Sequence, residues 1–196
     1  TSPVVSCNPI DDIRVETVGP PFKGNEVKIA SDGEILVKGE NVMLGYWNNE
    51  EETNKVLKDG WLHTGDIGIF ENGYLKITDR KKDILITPGG DNISPVKIEN
   101  ELSNSKFIDQ SIVYGDNKPY LVALLVLSDD NINVTQDQIK KELDIINKNL
   151  SRIENIKKFF IINEKFSIEN GMLTPTLKLK RYKIIKKYKN EFEKLY

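Results

Sequence analysis

The run Asp79–Asp83 constrains this chain more than any other stretch. It sets Asp79, Arg80, Lys81, Lys82 and Asp83 side by side, and burying an unpaired ion costs several kcal/mol. The run therefore belongs at a surface, at a junction between domains or at a polyanion site. Downstream of it the chain changes character every few residues. Ile84-Leu85-Ile86 can enter a sheet, and Pro88-Gly89-Gly90 offers a backbone without side-chain bulk, suited to close approach by a ligand or another chain. Ser94 is a good helix cap and Pro95 a good first helical residue. The stretch Asp79–Glu99 reads as junction, strand, bare loop and helix.

On the N-terminal side of the junction the pattern is β. Residues 1–25, with Pro20-Pro21 and Lys23-Gly24-Asn25, read as irregular connection. Glu26–Ala30 and Glu34–Lys38 form an expected hairpin turned at Ser31-Asp32-Gly33. Asn41–Trp47 is apolar and aromatic, and the acidic Asn49–Leu57 is helical in pattern. Asp66 follows Thr64-Gly65 and precedes an alternating strand, Ile67–Phe70, which Asn72-Gly73 folds back onto Tyr74–Thr78. A carboxylate at a strand start beside a glycine can accept from two adjacent hydroxyls, as a ribose presents them. It can equally cap a turn. His63 is the only histidine; nothing near it in sequence orients it, so no catalytic role is expected.

Beyond Asp83 the pattern is α+β. Expected strands are Asp83–Ile86, Gln110–Tyr114, Tyr120–Leu127 and Lys157–Asn163, with a helix over Pro95–Asn104. Thr135 and Gln138 make a capping box for a helix through Leu150, with Ile139, Leu143, Ile146, Leu150 and Ile153 on one face. A last helix from about Lys180 is expected to bury Tyr182, Ile185, Tyr188, Phe192 and Leu195. Just before it, Pro175 stiffens an extended loop, so that Lys178 is projected from a defined position.

Composition narrows the class. Of 196 residues 38% are hydrophobic and 30% charged, the balance of a soluble globular protein rather than a disordered one. The longest apolar run, Tyr120–Leu127, is far short of the ~20 residues a spanning helix needs. Cys7, the only cysteine, cannot form an internal disulfide and is expected to be inert, consistent with a reducing compartment. The net charge of −2 says nothing about a polyanion partner, although basic residues crowd Lys178–Lys189.

Three stretches, LHTGDIG (Leu62–Gly68), DRKKDILITPGGDNISPVKIE (Asp79–Glu99) and LTPTLKLKR (Leu173–Arg181), together resemble the acyl-CoA synthetases of the adenylate-forming superfamily. Within that family the likeness is to the long-chain fatty acyl type. The motifs stand in the family's order and cover nearly the whole chain. The resemblance implies an enzyme that activates a fatty acid with ATP, supplied as MgATP with Mg2+, and passes the acyl group to CoA. It implies that Asp66 holds the ATP ribose, that Arg80 meets ribose and phosphates, and that Lys178 is the adenylation lysine, with Lys180 and Arg181 as alternates. Lys82 falls at the family's hinge, where many relatives carry Asp, and Gly89 and Gly90 would line the pantetheine channel of CoA. Lys81 is expected to be solvated charge, and no protein-held metal is implied.

The implied organisation is a β-rich subdomain over residues 1–80, a hinge at 81–83 and a mobile α+β domain over 84–196 whose short sheet is flanked by helices. The family's phosphate loop is not in this sequence, which starts at Thr1 without Met. The chain is thus expected to be a C-terminal portion, inactive alone, whose partners are fatty acid, ATP, CoA and the N-terminal part of the same chain. A cytoplasmic location, or a peripheral one on an intracellular membrane, goes with that reading, and no nucleic acid partner does. Two rivals remain open: an adenylation enzyme that delivers to a carrier protein, and a basic module that docks Lys178–Lys189 on anionic lipid or nucleic acid.

Overall fold

Ser31-Asp32-Gly33 turns the first hairpin, because Gly33 takes φ +83°, a conformation open to glycine. The turn brings β1 (Glu26–Ile29) against β2 (Glu34–Lys38), with Ile29 opposite Ile35. The structure is a computed structural model and describes residues 1–129 and 134–196. It is α+β, and it divides into two compact units, Thr1–Lys82 and Asp83–Tyr196.

The first unit is organised by β4 (Trp61–Glu71), longer than the strand expected at Ile67–Phe70. Its first half pairs with β2, setting His63 opposite Leu36, and its second half pairs with β5 (Tyr74–Arg80). Its bulge falls between Ile67 and Gly68. A strand with different partners at its two ends does not keep one alternation, which is why the sequence pattern shows only half of it. Asp66 consequently lies inside a strand, not at its start. Ahead of β4 come α1 (Glu50–Val56), capped by the Asn49 side chain, and the short β3 (Leu57–Lys58). Ile35, Val37, Leu62 and Leu75 form the small core.

One turn of 3-10 helix, Lys81–Asp83, spans the division between the units. The second unit continues with β6 (Leu85–Ile86) and β7 (Asn92–Ile93), a two-stranded hairpin that carries the glycine loop at its tip. The expected strand at Asp83–Ile86 is shortened because Asp83 belongs to that turn. Next come α2 (Pro95–Ser103), capped by Ser94, then β8 (Ile108–Tyr114), β9 (Leu121–Leu127), α3 (Gln136–Ile146) and β10 (Ile156–Ile162). β9 is the middle strand, antiparallel to β8 and parallel to β10. The parallel pair needs a crossover, and α3 lies in it.

Every second residue of β9 faces the opposite side. Leu121, Ala123 and Leu125 meet Ile98 and Leu102 of α2 and Ile139, Leu143 and Ile146 of α3. Val122, Leu124 and Val126 meet Phe166, Met172, Ile184 and Phe192. The sheet is thus covered on both faces.

The C-terminal helix departs from expectation. It breaks at Tyr188 into α4 (Arg181–Lys187) and α5 (Lys189–Glu193). Its buried stripe is Ile184 and Phe192, with Ile185, Tyr188 and Leu195 half-buried against it. Tyr182 is 69% exposed, since the i, i+4 line through Ile184 turns it outward. Ile153 is also exposed, because α3 gives way after Ile146 to a 3-10 turn at Asn147–Asn149. No helix among the described residues is long and apolar enough to cross a membrane. Phe192→Ala is expected to lower the unfolding free energy by about 3–5 kcal/mol, and Tyr182→Ala to stay within about 0.5 kcal/mol, both measured by denaturant unfolding.

Candidate active site

Two loops of the second unit are built alike. In Thr87-Pro88-Gly89-Gly90-Asp91, the Thr87 and Asp91 backbones pair (Thr87 N to Asp91 O, 2.9 Å), Gly90 N donates to Thr87 O (2.9 Å), and Thr87 Oγ1 accepts from Asp91 N (3.0 Å). In Thr174-Pro175-Thr176-Leu177-Lys178 the same bonds recur. Thr174 N donates to Lys178 O at 2.8 Å, Leu177 N to Thr174 O at 2.9 Å, and Thr174 Oγ1 accepts from Lys178 N at 2.9 Å. Each is a hairpin with a short loop whose last residue is left-handed. Gly90 fills that position at φ +89°, whereas Leu177 fills it at φ +60°. A leucine there costs about 1–2 kcal/mol, and its side chain stays 69% exposed. Lys178, exposed, follows it directly.

The two glycines of the first loop differ. Gly90 needs its conformation, but a side chain on Gly89 would make only ordinary contacts, 3.5 Å from Asp91 Oδ2 and Thr87 Oγ1. Gly89 therefore keeps the surface bare without any backbone need for glycine. It lines an open cleft of about 900 Å³ with Thr87, Lys118, Arg152, Lys157 and Lys158. Lys118 is paired with Glu193 at 2.6 Å and Lys158 donates to Leu195 O at 2.6 Å. Arg152 and Lys157 are exposed cations at the rim.

Arg181 is not such a cation. Its Nη2 meets Glu99 Oε2 at 2.6 Å and its Nη1 donates to Val113 O at 3.1 Å, while Glu99 Oε1 accepts from Val113 N at 2.7 Å. With both side chains about nine-tenths buried, this guanidinium ties the foot of the lysine hairpin to α2 and β8. Its donors are committed to the fold, which removes it as an alternate to Lys178.

In the first unit the strand register sets Asp66 opposite Arg80, and Arg80 Nε lies 2.7 Å from Asp66 Oδ1. The Arg80 side chain stays more than half exposed, so its remaining donors can take a further anion. Around this pair the structure shows what the sequence conceals. Glu34, buried at the head of β2, accepts from His63 Nδ1 (2.9 Å), Gly65 N (3.0 Å) and Lys81 Nζ (2.9 Å). Lys81 also reaches Asp32 Oδ2 at 2.7 Å. His63 is therefore oriented after all, and Lys81 is paired rather than simply solvated. Burial pushes the Glu34 carboxyl up, but Lys81, His63 and the Gly65 N–H outweigh it and hold it below the usual range. Asp32 and Glu34 together raise Lys81.

Residues 82–196 match the AMP-binding enzyme C-terminal domain family. The chain belongs to the AMP-binding enzymes. Over its whole length it is 36% identical to the long-chain-fatty-acid–CoA ligase FadD15 of Mycobacterium tuberculosis, covering 36% of that protein. Over 98% of its length it is 38% identical to long-chain-fatty-acid–CoA ligase 5 of Rattus norvegicus, covering 31% of it. The chain thus spans about a third of the length of the curated relatives it matches. The A domain of the Segniliparus rugosus carboxylic acid reductase, solved with AMP and a carboxylic acid, superposes with a TM-score of 0.79 at 25% identity, over 91% of this chain and 32% of that one.

Within this AMP-binding enzyme chain, sequence reasoning missed Glu34, the His63 and Lys81 contacts to it, and the Arg181–Glu99 tie. Sequence separations of 29, 47 and 82 residues hide these partners. The repeated Thr-Pro at Thr87 and Thr174 was the one local signal available for the twin hairpins.

Leu177→Gly is expected to leave stability unchanged or raise it by up to about 1 kcal/mol, since relief of the left-handed cost exceeds glycine's entropy. Leu177→Val, β-branched at the same φ, should lower it by about 1 kcal/mol, read from the unfolding midpoint. For Glu34 the folded carboxyl titrates below the unfolded one, so its contribution is present above about pH 4.5 and fades as pH falls. The gap in melting temperature between the native chain and Glu34→Gln should therefore narrow from about pH 5 to about pH 3.

Proposed function

We propose that this chain is the C-terminal portion of a long-chain fatty acid–CoA ligase that forms an acyl-adenylate and then a thioester. The observation that carries the reading is the pair of Thr-Pro hairpins on one unit, one presenting an exposed ammonium and the other an uncovered backbone. The relatives supply the substrate class, and Mg2+ accompanies ATP as part of the substrate.

In the first step the fatty acid carboxylate attacks the α-phosphorus of ATP, the new O–P bond forms, and pyrophosphate leaves. Both reactants are anions, and charge builds on the phosphoryl oxygens. Lys178, fixed at the foot of a stiff turn, supplies an ammonium that meets carboxylate and phosphate oxygens together. One such contact is worth about 3–4 kcal/mol, or roughly 10² to 10³ in rate. Asp66 accepts from the ribose hydroxyls, and Arg80 adds a planar donor fork to ribose and phosphates.

In the second step the CoA thiol attacks the acyl carbonyl, its proton departs and AMP leaves. Gly89 and Gly90 give pantetheine a backbone wall, and Arg152 and Lys157 at the rim of the same cleft suit the phosphates of CoA. The division of the chain between Lys82 and Asp83 supports Lys82 as the pivot that exchanges one hairpin for the other. A pivot needs an exposed link whose torsions can change rather than a particular side chain.

In whatever full-length chain carries these residues, Lys178→Ala is expected to cut fatty acid-dependent pyrophosphate exchange by about 10² to 10³ and to spare thioester formation from supplied acyl-adenylate. Gly89→Leu should do the reverse with its fold intact, since Gly89 needs no special backbone. Equal loss of both steps in either variant would reject the division of labour.

A further inference from the structure

Two residues flank the Asp66–Arg80 pair in sequence, Gly65 before the carboxylate and Lys81 after the guanidinium. Both are bound to one carboxylate. Glu34 Oε1 accepts from Gly65 N at 3.0 Å, and Glu34 Oε2 accepts from Lys81 Nζ at 2.9 Å. Gly65 has φ +71°, a backbone position with more freedom than any other residue would have, and it directly precedes Asp66. The bond to Glu34 removes that freedom. On the other strand, β5 ends at Arg80 and the 3-10 turn begins at Lys81. There the ammonium is fastened to Glu34 and to Asp32 of the β1–β2 turn.

An exposed ion pair would be worth little. Glu34 is different, because its side chain is 5% exposed and three donors converge on it, so loss of one partner is felt by the others. His63 Nδ1 is the third. Thr64 adds a parallel tie, donating to Ile35 O at 2.7 Å and accepting from Asp66 N at 3.1 Å. The sites on both sides of the pair are thus held to the first strands of the sheet.

We propose, resting on the nucleotide reading of Asp66 and Arg80, that Glu34 and Lys81 are positioning residues that hold this pair in the geometry a nucleotide requires. Neither touches the reacting atoms. Their effect is to spare the ligand the cost of ordering two strands, which appears as affinity. The lock also holds the start of the 3-10 turn to the sheet through Lys81.

The test uses the full-length chain, with ATP as the probe, in fatty acid-dependent pyrophosphate exchange and in direct calorimetric binding. Lys81→Met and Glu34→Gln should each raise the KM for ATP about 5- to 10-fold while kcat changes less than about 3-fold. Lys81→Arg should restore the KM to within about 2-fold, and the double variant should be no worse than the poorer single one. Lys81 is nearly half exposed, so its variants decide the matter even if Glu34→Gln does not fold. An unchanged KM in folded Lys81→Met, or a fall in kcat alone, overturns the proposal provided Asp66→Ala and Arg80→Ala do weaken ATP binding. If those two leave ATP binding intact, the nucleotide reading itself has failed, and this inference falls with it.

Discussion

β9 has no face that water can touch. Leu121, Val122, Ala123, Leu124, Leu125 and Val126 are all buried, so each side of the strand must be covered by something apolar. That single requirement places α2 and α3 on one face and α4 and α5 on the other. It also seats Met172 and Leu173, the base of the lysine hairpin, in the second core. The glycine hairpin is rooted in the first core through Leu85 and Ile93. Two loops with opposite chemistry are therefore mounted on one strand's two coats, and one compact unit carries both.

Charge is divided between buried ties and the surface in a consistent way. Arg181 and Glu99 satisfy each other and the two backbone groups of Val113, as burial of ions demands. Glu34 gathers a histidine, a lysine and a backbone N–H for the same reason. Lys178, Arg152 and Lys157 remain at the surface. By charge alone Lys178, Lys180 and Arg181 look alike, yet Lys178 stands exposed at a hairpin and Arg181 is a structural strut.

Much of the architecture was legible locally. The capping box at Thr135 and Gln138, the Ser94-Pro95 helix start, the turns at Gly33 and Gly73 and the apolar strand at Leu121–Leu127 depend on neighbours a few residues away, and each forms as its residues suggest. β4 and the last helix escape a local reading because their partners decide them. β4 changes partner midway, and the final helix rotates to put Ile184 rather than Tyr182 against β9. Asp66, Arg80, Lys178, Gly89 and Gly90 stand out by motif, which carries no information about the groups that hold them.

The amino-acid order alone determined the charged run between the two units, the class of most segments and the two bare or basic loops, since propensity, capping and periodicity act over one or two turns of chain. Only the tertiary structure decided that Lys81 and His63 share Glu34, that Arg181 is committed to Glu99, and that the lysine and glycine loops are the same turn. Those facts rest on pairings between strands and helices far apart in sequence, and a buried ion's partner is chosen by the packing that buries it.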